Sequence, residues 1–222
     1  MKSNHELQRD VEYAIKWEPL MHEAEIGVSA KDGVVSLTGV VDSYVKKMEA
    51  ENAAKRVLGV RAVVENIEVK LPSSWTKTDE EVAKDVLAAL VANYSVPDEK
   101  IKVKVEKGWV TLEGDVSWNY QKEAALNATR HLYGVRGVSN NIELKPAIKE
   151  KLEEEAIRRA IRRNWSIDNS IIHVTVDGTT VTLTGKVDSW YQKEEAGRIA
   201  WNTPGIWHLN NELEVYYEYA FS

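Results

Sequence analysis

The residues best suited to chemistry lie in "EEEAIRRAIRRNW", positions 153–165. Arg158 and Arg162 form one i, i+4 row and Arg159 and Arg163 another, while Ile157, Ala160 and Ile161 take the opposite face of the same helix. Four guanidinium groups beside Trp165 could grip phosphate, because the planar fork matches two oxygens at once. Glu154 and Glu155 precede Arg158 and Arg159 by four residues, the favourable order for ion pairs, so part of this charge could be spent within the helix. Arg162 and Arg163 have no acidic residue four positions earlier.

A second candidate is "YQKE", found as Tyr120–Glu123 and again as Tyr191–Glu194. A catalytic Tyr–Lys pair needs both groups aimed at one cleft, and no neighbouring motif supplies one. In the first third of the chain the same places hold Val45, Lys46, Lys47 and Met48, so lysine alone persists. The stretch reads better as the first turn of a helix. Beside it, Trp190 aligns with Tyr44 and is expected to be exposed, both being candidates for a membrane interface, where indole and phenol rings sit well. Trp118 falls seven residues before Ala125 and is expected to lean on the core. The loop "GVRG" (134–137) imitates a GXXG nucleic-acid clamp, but it joins a helix to a strand, and its counterparts "GVRA" and "GIWH" lack the second glycine.

Other chemistries are excluded or unsupported. The chain has no cysteine, which removes disulfides, thiol catalysis and Cys-ligated zinc. Its five histidines show no ligand spacing, and no phosphate loop, nucleophile elbow or dinucleotide fingerprint occurs. The reading is therefore of a protein that is not an enzyme, with no catalytic residue, no metal and no cofactor. Net charge is −6 over 222 residues and no third of the chain is basic, so no nucleic-acid partner is expected. There is no apolar run of transmembrane length. The N-terminus has no signal-peptide pattern, which points to the cytoplasm for the sequence as it stands, or to the periplasm if a signal peptide has been removed.

The elements that must position these residues come from a repeat. "VVSLTG" (34–39), "WVTLEG" (109–114) and "TVTLTG" (180–185) are one strand written three times. Gly59, Gly134 and Gly205 follow, each twenty residues after the last glycine of its copy. Each unit opens with an amphipathic helix carrying Val11, Ala14 and Ile15, or Val86, Ala89 and Leu90, or Ile157, Ala160 and Ile161. Capping boxes start the first two, Ser3 with Glu6 and Thr78 with Glu81, and the third is expected to start near Pro146. A hairpin follows, turning at "KDG", "EKG" or "DG" and ending at Gly39, Gly114 or Gly185. Asp42, Ser117 and Asp188 are expected to cap a second, alanine-rich helix, and the closing glycines to sit in left-handed geometry at its end. A last strand carries Ile67 and Val69, Ile142 and Leu144, or Leu213 and Val215.

The expected fold is α+β: three tandem αββαβ units over 1–71, 72–145 and 146–222, each a three-stranded mixed sheet with two helices on one face. An αββαβ unit of this length, with its "v.L.G.V" strand, alanine-rich helix and closing "GV..V.N.i.v", resembles the BON domain (bacterial OsmY and nodulation). The closing Asn is irregular, since Asn66 and Asn141 are matched by Glu212 with Asn211 one place earlier. The resemblance implies no enzymatic activity. It implies association with phospholipid surfaces, often in the bacterial envelope under osmotic or other stress. The partner expected is thus an anionic phospholipid surface or, alternatively, a protein in a scaffold or self-associating role. The candidate binding residues are Arg158, Arg159, Arg162, Arg163, Trp165, Trp190 and Tyr44. The sequence leaves the oligomeric state open.

Overall fold

A computed structural model describes residues 3–21, 26–145, 154–164, 171–203 and 205–216. The elements run α1 (Asn4–Lys16), β1 (Ile26–Lys31), β2 (Val34–Val41), α2 (Tyr44–Arg56), β3 (Ala62–Val69), α3 (Asp79–Ala92), β4 (Ile101–Glu106), β5 (Trp109–Val116), α4 (Asn119–Arg130), β6 (Gly137–Leu144), α5 (Glu154–Arg162), β7 (Ile171–Asp177), β8 (Thr180–Val187), α6 (Trp190–Trp201) and β9 (His208–Val215). The αββαβ order is repeated three times. The expected start of the third unit's first helix at Pro146 lies outside the described residues.

Each unit forms its own three-stranded sheet with the second hairpin strand in the centre. In the second unit β4 pairs antiparallel with β5, which pairs parallel with β6 from Trp109↔Gly137 to Val116↔Leu144. The third unit repeats this, antiparallel for β7–β8 and parallel for β8–β9 from Thr180↔His208 to Val187↔Val215. By packing, residues 1–40, 48–68 and 149–222 belong to one compact unit, and 41–47 with 69–148 to another.

The cores follow from periodicity. In the second repeat, Val82, Val86 and Leu90 from α3 meet Ala125 from α4, Val110, Leu112 and Val116 from β5, and Ile142 from β6 in one buried cluster. The strand residues alternate in sequence, so they share one sheet face, and both helices cover it. Ile157, Ile161, Val181, Leu183, Val187, Ala196, Ala200 and Leu213 build the matching cluster in the third repeat.

Local chemistry sets the joints. Ser3 and Thr78 each form the expected capping box, accepting from the amide of Glu6 or Glu81 while that carboxylate accepts from the cap amide. The first two hairpins turn on pairs of left-handed residues, Asp32 with Gly33 and Lys107 with Gly108. The first helix pins the turn: Asp79 accepts from the amides of Lys107 and Gly108 at 2.7 and 2.8 Å, and Asn4, 75 residues earlier, accepts from Asp32 at 2.9 Å.

Two expectations about glycine shift. Gly39, Gly114 and Gly185 do not end their strands, because β2, β5 and β8 continue two residues further. Gly114 has φ +138°, and a Cβ there would lie 2.0 Å from the Lys100 carbonyl oxygen, so the strand passes this point only without a side chain. Gly59, Gly134 and Gly205 do have positive φ, near +90°. They lie beyond the last helical turn rather than directly after it, since α2, α4 and α6 end at Arg56, Arg130 and Trp201.

Candidate functional site

Helix α5 buries Ile157 and Ile161 at i, i+4, which turns its arginines to the flank and outward. Arg158 is half-buried and pairs with Glu154 and, at 3.1 Å, with Glu155. The expected Glu155–Arg159 pair is therefore replaced: Glu155 reaches one residue less far, because a single guanidinium fork can take two carboxylates. Arg159, Arg162 and Arg163 are exposed, and among the described residues none has a carboxylate partner. Arg163 donates from Nε to the Arg159 carbonyl at 3.2 Å, setting a cation against the helix C-terminus, where exposed carbonyls favour it. The arrangement is a short cationic ledge, with Arg158 neutralised at one side. Trp165, the aromatic expected beside it, lies outside the described residues.

The repeated "YQKE" is a capping device. Helices α2, α4 and α6 begin one residue later than expected, after Ser43, Trp118 and Ser189 rather than Asp42, Ser117 and Asp188. Ser189 accepts from the Gln192 amide at 3.2 Å, and Ser43 stands in the same relation to Lys46. The glutamines reach back: Gln121 Oε1 accepts from the amides of Ser117 and Trp118 at 3.1 Å, and Gln192 Oε1 from that of Asp188 at 2.7 Å. These bonds satisfy amides that a helix start leaves open.

This geometry also corrects the tryptophans. Trp118 does not lean on the core; it is 38% exposed. Its backbone is extended (φ −137°, ψ 142°), so helical periodicity counted back from Ala125 does not reach it. Trp190, expected to be exposed, is half-buried, and its Nε1 donates to Glu194 Oε1 at 2.9 Å. Tyr44 is likewise partly buried and packs against the Val86–Leu112 core cluster. Both rings are thus partly buried rather than fully open to solvent.

In two of the three copies the backbone carbonyl of the shared lysine has a structural use. The Lys122 carbonyl accepts from the side-chain amide of Asn140 at 3.0 Å, and the Lys193 carbonyl from that of Asn211 at 2.7 Å. Each asparagine also accepts from the amide two residues on, Ile142 or Leu213, and in the first repeat Glu65 does so from Ile67. Positions 65, 140 and 211 thus tie the last strand, and in two copies the tie extends to the second helix. Asn66, Asn141 and Glu212, whose mismatch marred the sequence pattern, are simply exposed. An ungapped alignment carries the missed signal, because Asn140 and Asn211 are 71 residues apart, the spacing of the repeat. Burial lowers the Lys122 ammonium pKa below the ordinary lysine value, against the opposing charges of Glu123 and Glu143.

The glycine that made "GVRG" look like a clamp has its own cause. Trp109 lies across Gly137 on the open sheet face, its Nε1 donating to Ser139 Oγ at 2.9 Å, and a Cβ at Gly137 would fall 2.3 Å from the ring. The aligned cross-strand pair in the third repeat is Thr180 with His208, which needs no such gap.

Outward positions of the first helices differ between copies. On α3, Leu87 and Val91 form an exposed i, i+4 pair, and Tyr94, in the turn just past the helix, is fully exposed at 101%. The positions 71 residues on are Arg158, Arg162 and Trp165. Among the described residues no group of three or more His, Cys, Asp or Glu could hold a metal, and no helix is long and apolar enough to cross a membrane.

Comparison with known proteins fits this architecture. The BON domain family model matches residues 3–70, 78–146 and 151–216. The chain belongs to the BON domain family, with three copies in tandem. It is 30% identical over 125 residues to the Osmotically-inducible protein Y of Escherichia coli (strain K12), a match covering 54% of this chain and 62% of that protein. It is 26% identical over 125 residues to an uncharacterized protein in the gshII 5′ region of Anaplasma centrale, covering 55% of this chain and 83% of the relative. Among solved structures, the C-terminal domain of CdsD, a structural protein of the Type III secretion system of Chlamydia trachomatis, aligns over 93% of this chain and 96% of that chain. The TM-score is 0.25 and the identity 16%.

Proposed function

We propose that this is a non-catalytic protein that associates with anionic phospholipid surfaces, in a role tied to osmotic or envelope stress. The observation that carries the reading is the cationic ledge of α5: three exposed guanidinium groups, Arg159, Arg162 and Arg163, without carboxylate partners among the described residues. Phosphate headgroups are the complementary chemistry. The name of the Escherichia coli relative supports the stress connection. The three domains, over 1–71, 72–145 and 146–222, would act from the compartment in which such a surface is met.

Co-sedimentation with vesicles tests it. Binding to anionic vesicles should exceed binding to neutral ones and weaken with salt, since exposed charges are screened within about 8–10 Å at 0.1–0.15 M ionic strength. At about 1 kcal/mol per basic residue near such a surface, changing Arg159, Arg162 and Arg163 together to Gln should cost roughly a hundred-fold in affinity. Arg158→Gln should cost far less, because Glu154 and Glu155 already neutralise that residue. Equal binding to anionic and neutral vesicles would sink the reading.

A second reading, a protein-interaction scaffold, is favoured by a different observation. Trp190 lies against Lys55 of α2 and Tyr44 packs on the second repeat's core cluster, so these repeats use aromatic helix starts to meet other elements of the polypeptide. Mass measurements over a range of concentrations that show only monomer would count against self-association.

A further inference from the structure

Residues 48–56 of α2, from the first repeat, and helix α6, from the third, belong to the same compact unit. Two consecutive cations on α2 face two consecutive aromatics on α6. Lys55 Nζ lies 2.8 Å from Glu194 Oε1 and 3.0 Å from Glu51 Oε1. The same ammonium stands 5.9 Å from the centre of the Trp190 ring, whose Nε1 donates to the same Glu194 oxygen. Next to it, Arg56 is 5.9 Å from the Tyr191 ring and 3.0 Å from Glu18. Lys193, on α6 itself, is also 5.9 Å from the Trp190 ring.

We propose that this cluster is an ionic clasp that holds the third repeat against the first and opens as ionic strength rises. Three features support it. The interaction joins residues 139 positions apart, so it closes a long loop and cannot be a by-product of local helix geometry. Its polar links are charged groups and cation–π contacts, and the Glu194 and Arg56 ends are solvent-exposed, where salt can screen them. Lys55 is held at the centre: burial would lower its pKa, and the hydrogen bonds and charges of Glu194 and Glu51 outweigh that and raise it. The aligned position in the second repeat is Arg130, whose guanidinium meets His131 instead, so the clasp is not a generic property of the second helix. The inference does not depend on lipid binding.

The absence of native cysteine makes a distance measurement direct. Lys31→Cys and Asn210→Cys place spin labels at exposed sites of the first and third repeats, away from the clasp. Pulsed electron resonance on the full chain should give one narrow distance distribution at low salt and a broadened, longer one at 1 M NaCl, the added salt being about a seven-fold excess over physiological strength. Lys55→Glu and the milder Lys55→Gln should give the open distribution already at low salt. Lys55→Glu combined with Glu194→Lys should return it to the narrow form. Circular dichroism establishes that each variant is folded. A distribution unchanged by salt and by the single substitutions overturns the proposal, and so does a folded charge-swap variant that stays open.

Discussion

Helices α3 and α5 occupy equivalent places in two repeats; both stay aliphatic toward the sheet, and their chemical contrast lies on the side that does not touch it. Inward, Val86 and Leu90 in one are matched by Ile157 and Ile161 in the other, all buried. Outward, Leu87 and Val91 of α3 are replaced by Arg158 and Arg162 in α5. Packing against Val110 and Leu112, or Val181 and Leu183, confines the inward face to buried aliphatic side chains matched to their own core, since close-packed interiors respond to a single methylene. The outward face carries no such constraint and is where copies of one fold can acquire different partners.

The largest expected break of this comparison is at the inward positions. Leu90→Ala and Ile161→Ala should each cost about 2–5 kcal/mol in urea denaturation, by lost burial and the cavity left behind. Leu87→Gln and Arg162→Gln should stay within about 0.5 kcal/mol. Outward substitutions as costly as inward ones would show that the two faces are not distinct.

A graft sharpens the contrast from the other direction. Leu87→Arg with Val91→Arg writes part of the α5 ledge onto α3, where the residues four positions earlier, Ala83 and Leu87, offer no carboxylate. On the phospholipid reading, affinity for anionic vesicles should rise about ten-fold or more, at about 1 kcal/mol per added basic residue. No gain would mean that surface charge on the first helix does not set binding.

The smallest effects concern the start of α3. Thr78→Ala should cost about 1 kcal/mol through loss of the cap. The Glu81 carboxyl has its pKa lowered, first by the hydrogen bond from the Thr78 amide and then by the Thr78 hydroxyl. A depressed folded-state pKa contributes stability above the unfolded carboxylate value, and the contribution is lost as pH falls through the folded value. The stability of the native protein relative to Glu81→Gln should therefore shrink between about pH 5 and pH 3, as thermal melts across that range would show. A constant difference would argue against the capping box as the source.

Much of the architecture was legible in the sequence because periodicity is a one-dimensional record of burial. Val11 and Ile15, Val86 and Leu90, and Ile157 and Ile161 announce their helices and their inward faces by spacing alone. Helix starts were less legible. The shift from Asp188 to Ser189 is a matter of one residue, and it is fixed by which side chain reaches which amide, with Gln192 closing on Asp188. Trp118 escapes the pattern for the same reason, since helical counting fails at a residue whose backbone is still extended. The candidate site was half visible. Arginine spacing gave the ledge, but the double pairing of Arg158 depends on side-chain reach.

The sequence by itself determined the repeat, the three αββαβ units, the inward faces and the two capping boxes, because each depends on residues a few positions apart. The tertiary structure decided what long-range proximity controls. Gly137 makes room for Trp109, Asn140 and Asn211 hold a helix carbonyl from a strand, and Lys55 meets Glu194 across 139 positions. Such contacts leave no helical or strand periodicity in the sequence, since the chain brings the partners together only after its local elements have formed and packed.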